Sequence, residues 1–190
     1  MPKSTSGKSV GLGFEKSVGA SEPLDRRSTL CRYRLAQGGW TMRTGMSPGA
    51  DQAFYRGALA KQGRLELYLP WLVFQAHARS AREGPDVFVL PEPTGAAYSL
   101  AARFHPRWSA LSLELRRLRA RDAHQVLGRD LLAPAALVLC WTPDGSVDGT
   151  GPRVGGTGQA LRIAHHHGVA VLNFSRPDHI RQLSRYLNPD

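Results

Sequence analysis

Two glycine-rich segments carry the residue types that could hold a phosphate. In the first, Thr44-Gly45-Met46-Ser47-Pro48-Gly49-Ala50-Asp51, glycines at 45 and 49 remove side chains where a backbone must turn sharply or approach a ligand closely. The helical pattern that follows would aim free N–H groups and the positive end of its dipole at the same point, which suits an anion. Thr44 and Ser47 add hydroxyl donors, and Arg43 stands one residue before the loop as a phosphate partner. Asp51 suits either a helix cap or acceptance from a ribose hydroxyl. An ordinary helix-entry turn uses the same residue types, so this segment alone leaves both readings open.

The second segment runs Asp144-Gly145, then Gly149 to Gly151, then Gly155-Gly156-Thr157-Gly158-Gln159. It again sets a glycine cluster at a helix start just after an apolar run, and two such loops in one domain favour a cleft over two unrelated turns. Neither loop is followed by Gly-Lys-Ser/Thr, and neither is a dinucleotide Gly-x-Gly-x-x-Gly in the required position. ATPase and dehydrogenase readings therefore lack their motifs.

The elements that would position these loops follow from the apolar patterning. Trp40 to Thr44 reads as a short strand, Asp51 to Gln62 as a helix with Ala53, Phe54, Ala58 and Leu59 on one face, and Leu65 to Trp71 as a strand closed by Pro70. Asp86 to Leu90 is a further strand between two prolines. Ala96 to Leu132 is helical with a break at Pro106. Ala135 to Trp141 is a continuous apolar run of the kind buried on both faces of a parallel sheet. A helix from Gln159 to His167, a strand from Val169 to Phe174 and a helix from Pro177 to Leu187 complete the chain. Strand, glycine loop and helix thus recur, which predicts an α/β fold, an open and mainly parallel sheet with helices on both faces. Ligands of such sheets sit at the carboxyl ends of the strands.

At 190 residues the chain has room for one domain with a sizeable core. Residues 1 to 20, rich in Ser, Gly and Lys, read as a flexible tail with a weak strand at Ser17 to Ala20, and residues 21 to 190 as the single domain. Leu24 to Gln37 fits a helix. No run approaches the length of a membrane span, the N-terminus has no signal-peptide core, and Cys31 and Cys140 stand apart in apolar settings. A cytoplasmic protein is expected. The net charge of +10 and pI near 10.4 favour phosphorylated or polyanionic partners.

At Thr44 to Leu59 the string TGMSPGADQAFYRGAL resembles the loop and helix of the DprA and LOG ("lonely guy") superfamily of Rossmann-like proteins, called SLOG. The Gly-Gly-Thr-Gly at 155 to 158 looks like the second glycine loop of the LOG branch. Together with Gln125 to Gly128 and Cys140 to Gly145, the pattern is most similar to small, often phage-associated members, over roughly residues 38 to 175. The resemblance implies a nucleotide or nucleotide-derived phosphate held between the loops, by Arg43, Thr44, Gly45, Ser47, Gly49, Ala50 and Asp51 on one wall. The other wall would be Asp144, Gly145 and Gly155, Gly156, Thr157, Gly158 and Gln159. It also implies a homodimer. LOG enzymes hydrolyse the bond between base and ribose phosphate with a Glu whose position here is Arg162, and a cation cannot serve as that carboxylate. Three functions stay open: a nucleotide sensor or binding protein, a nucleotide-processing N-glycosidic hydrolase, and a DprA-like accessory protein that binds single-stranded DNA.

The remaining candidates weigh less. Arg116, Arg117, Arg119 and Arg121 read as a solvated helix face, with a nucleic-acid groove as the rival, and Arg121 could turn toward the cleft. His105 and Trp108 could bracket a base or simply pack. His165, His166 and His167 point in different directions on a helix with no further ligand nearby, so no metal and no cofactor is expected.

Overall fold

A computed structural model describes residues 9–13, 38–47, 51, 52, 55, 58, 62–72, 74 and 87–187. Among these residues six strands form one sheet: β1 (Ser9–Gly13), β2 (Thr41–Thr44), β3 (Leu65–Tyr68), β4 (Val87–Leu90), β5 (Leu137–Cys140) and β6 (Ala170–Asn173). Their spatial order is β4-β3-β2-β1-β5-β6 and every neighbouring pair is parallel. The chain winds outward from β1 to β4, then returns to the other side of β1 with β5. The crevice of an open parallel sheet opens at such a reversal.

The helices packed on this sheet include α1 (Gly95–Phe104), α2 (Leu113–Leu127), α3 (Thr157–His166) and α4 (Pro177–Leu187). Residues 51, 52, 55 and 58 are also helical. Thr94 and Ser112 start α1 and α2 by accepting hydrogen bonds from the N–H groups of Ala97 and Leu115, both at 3.3 Å. Alternation along the strands sorts the core into two layers. Met42, Leu65, Leu67, Leu137, Leu139 and Leu172 pack on Trp40, Tyr55, Ala58 and Leu183, whereas Val138 and Cys140 meet the small and apolar residues of α1, α2 and α3. Helices therefore cover both faces, as the βα recurrence predicts.

Two expectations are corrected. Ser9–Gly13 lies within the stretch read as a tail but forms β1 in the middle of the sheet, where its register pairs Gly11 with both Arg43 and Val138. The strand expected at Ser17 to Ala20 and the helix expected over Leu24 to Gln37 lie outside the described residues. The second correction concerns α2. Its C-terminal half, Ala120 to Leu127, is buried on every side, so Arg121 is not part of a solvated face. A helix lying between a sheet and two other helices has no side left for water, and its polar groups must find partners in the interior.

One such set of partners seats α2 on the sheet. Arg43 Nε donates to Glu66 Oε2 at 2.7 Å, and the Tyr68 hydroxyl donates to the same oxygen at 2.6 Å. The His124 ring stacks on Tyr68 with centroids 5.5 Å apart and planes 13° apart. His124 Nε2 accepts from the Thr94 N–H at 3.2 Å, which leaves Nδ1 as the donor to the Gly128 carbonyl at 3.0 Å. Burial holds this imidazole below its usual pKa, so it stays neutral.

Candidate functional site

Because all strands are parallel, the loops after β2 and β5 emerge at the same edge and flank the carboxyl end of β1. Asp51 ties down the described start of the first loop. This residue opens the helical segment, is 1% exposed, and its Oδ2 accepts from the Ser47 N–H at 3.0 Å. Its Oδ1 is also buried and has no hydrogen-bond partner among the described residues. Burial pushes the Asp51 carboxyl up to about 7 against the opposing pull of Arg121 and the Ser47 N–H.

Arg121 reaches this loop from α2. It is 4% exposed and donates to the Gly45 carbonyl at 2.6 Å and to Ser47 Oγ at 3.2 Å. Its Nε lies 3.2 Å from Asp122 Oδ1, which ion-pairs in turn through Oδ2 with Arg119 at 3.4 Å. A Cβ on Gly45 would fall 1.6 Å from the Arg121 guanidinium, so the glycine makes room for a protein cation. Thr44 is buried and its hydroxyl accepts from the Met46 N–H at 3.3 Å. Met46 itself takes a positive φ of 60°.

The second loop is tied at several points. Asp144 accepts from the N–H groups of Ser146 at 3.2 Å and Arg153 at 2.9 Å. Partial burial raises its pKa, but these and neighbouring donors outweigh it and hold the carboxyl below the usual range. Gly145 and Gly155 adopt positive φ of 69° and 52°. The loop ends at α3, whose N-cap Gly156 offers no side-chain oxygen and whose first residue Thr157 is 3% exposed. Thr157 Oγ1 is buried without a hydrogen-bond partner among the described residues. Gln159 points away, donating to the Ala101 carbonyl at 2.9 Å.

The structure brings Gly45, Ser47, Asp51 and Arg121 together, and sets Asp144, Gly145, Gly156 and Thr157 on the neighbouring loop. Arg43 stands apart: it is committed to Glu66 and, at 2.6 Å, to the Ala133 carbonyl beneath α2. Gly49 and Ala50 lie outside the described residues. His105 and Trp108 meet each other, with ring centroids 6.3 Å apart, in the turn between α1 and α2. Arg116 covers the indole at 5.8 Å from its centroid. His165, His166 and His167 are exposed at the end of α3, and no group of three metal-ligating side chains occurs among the described residues. No helix among them is long and apolar enough to cross a membrane.

Asn173 is a residue that sequence reasoning passed over. At the end of β6 its Nδ2 donates to Thr142 Oγ1 and to the Ser146 carbonyl, both at 2.7 Å, and its Oδ1 accepts from the Thr142 N–H at 3.2 Å. It fixes the start of the second loop. A polar amide closing an otherwise apolar strand was the available signal.

No protein-family model and no curated protein matches this sequence. Solved structures do. DNA processing protein A (DprA) from Streptococcus pneumoniae superposes with a TM-score of 0.53 at 12% sequence identity over 95% of this chain and 55% of its own. The molybdenum cofactor carrier protein from Chlamydomonas reinhardtii gives 0.51 at 14% identity, over 95% of this chain and 84% of the carrier. The chain shares the Rossmann-like fold of these two structures. Within that fold the two glycine loops occupy the edge where open parallel sheets take ligands. The chain spans about half the length of DprA.

Proposed function

We propose that this protein binds a nucleotide or another phosphoribosyl-containing molecule, with its phosphate at the α3 N-terminus and its remainder toward the Gly45 to Asp51 loop. The observation that carries this reading is Thr157. A buried hydroxyl without a partner costs about 1 to 3 kcal/mol, and this one stands at the first position of a helix whose cap supplies no oxygen. A phosphate oxygen would satisfy the hydroxyl and complement the helix dipole together. Asp122 ion-pairs with both Arg119 and Arg121, and Arg162 feels the charges of Arg119 and Asp122, so cations outnumber carboxylates in this group and it suits an anion. The likeness to a molybdenum cofactor carrier supports a binding role and places that cofactor in the set of ligands worth testing. Hydrolysis of the LOG type is not part of the reading, because residue 162 is a cation engaged with neutral acceptors.

The test is thermal stability against a panel of nucleoside mono-, di- and triphosphates and molybdenum cofactor. A ligand present at 100 times its Kd should add about 2.7 kcal/mol. Thr157→Val sharpens it. The variant is expected to be at least as stable as the wild type without ligand, since it removes an unsatisfied hydroxyl, and to bind the positive ligand about tenfold more weakly, or about 1.4 kcal/mol. No shift across the panel together with salt-sensitive binding of single-stranded DNA would overturn the reading.

A further inference from the structure

Arg162 lies on the second turn of α3, and two glycines make space for it. Gly149 has a φ of +78°, and a Cβ there would fall 2.9 Å from Arg162 Cγ. Gly158 would set a Cβ 3.0 Å from the guanidinium. The end of α1 then supplies the Phe104 carbonyl, which accepts from Nε at 2.6 Å. The two remaining nitrogens donate to the Gly149 carbonyl at 2.7 Å and to Gln159 Oε1 at 3.3 Å. One side chain thus joins the second loop, α3 and α1.

Its partners are two carbonyls and an amide, so none of them neutralises it. Burial lowers the stability of the charged form, and the field of Arg119 adds to that more strongly than Asp122 relieves it. A guanidinium has five N–H donors, and three are used, so donors remain as well as charge. The protein holds a cation part-way out of water beside a helix N-terminus that is also positive. The groups around it repel charge of its own sign, and an anion arriving at the loop would relieve that repulsion.

We propose that Arg162 is the positioning residue of the second loop, latching it to α3, and that its charge makes this end of the site select a phosphate or pyrophosphate group over an uncharged one. This rests on the binding function proposed above. The two roles separate in Arg162→Gln and Arg162→Lys. Both variants lose the planar fork, so both should melt below the wild type. Lysine keeps the charge.

The probes are the nucleotide that shifts the wild type in the panel and inorganic pyrophosphate as its competitor, titrated at two salt concentrations. Arg162→Gln should weaken both probes at least tenfold and flatten the salt dependence, and Arg162→Lys should regain most of the affinity and the salt slope while its melting temperature stays low. Equal losses of affinity in the two variants would reduce Arg162 to a structural latch and overturn the selection. Affinity unchanged in both would overturn the proposal outright. A wild type silent to every probe would instead sink the binding function on which it rests, so the two failures are distinct.

Discussion

Replacing Gly149 with alanine is expected to lower the unfolding free energy by about 3 to 4 kcal/mol, combining backbone strain with a forced contact. The residue sits at φ +78°, in the left-handed region, where a side chain costs about 1 to 2 kcal/mol. The added Cβ would lie 2.4 Å from the Gly158 carbonyl oxygen and 3.0 Å from the Arg162 main-chain nitrogen. Both are helix backbone atoms of α3 and neither can swing aside, so the loop must lift, taking the Gly149 carbonyl away from Arg162. Gly168→Ala provides the comparison: its φ is +65°, and nothing lies within 4 Å of the new Cβ. It should show the strain alone, about 1 to 2 kcal/mol. Urea unfolding of the two variants checks this, and equal losses would mean that the loop relaxes freely away from α3.

Asp51→Asn should act in the opposite direction, raising stability at neutral and alkaline pH. The folded carboxyl titrates at about 7, against an ordinary value of 3.8. Between those values the native state holds a proton that the unfolded chain has released, so the wild type loses stability as pH rises from about 4 to about 7 and levels off beyond. The full loss is as much as about 4 kcal/mol, at 1.36 kcal/mol for each pKa unit. Asparagine has no proton to lose and retains an oxygen for the Ser47 N–H. The variant should therefore be more stable than the wild type at pH 8, and the difference should shrink toward pH 3. Unfolding midpoints at pH 3.5, 5.5 and 8 test the slope, and parallel profiles for the two proteins would show that Asp51 ionises freely in the native state.

Legibility in the sequence followed the physical distinctness of each signal. Leu137–Cys140 could be read because a strand buried on both faces leaves an unbroken apolar run. The loops after β2 and β5 could be read because sharp backbone turns leave glycines. β1 could not, since Ser-Val-Gly-Leu-Gly has two apolar side chains among small residues and is embedded in a stretch of tail-like composition. One of its partners, β5, lies most of the chain away, so no local pattern announces the pairing. The polar half of α2 misled for a related reason. Arginine and aspartate in a helix ordinarily mark its wet side, and only the tertiary arrangement shows that Arg121 has the Gly45 carbonyl for water. Arg43 shows the same limit from the other direction. Its neighbour in sequence is the loop, but strand alternation sends its side chain beneath α2 to Glu66.

The central place of β1 also bears on the order in which the molecule can assemble. This strand is joined on one side by β2, a short distance later, and on the other by β5, whose Leu137 pairs with Val10 across most of the chain. Until residue 140 is available, β1 is an open edge of a four-stranded half-sheet, with unpaired N–H and carbonyl groups exposed to any passing strand. Closing it demands a contact of high sequence separation, which slows folding. A nascent or truncated chain that ends before β5 is thus the form of this protein most exposed to aggregation.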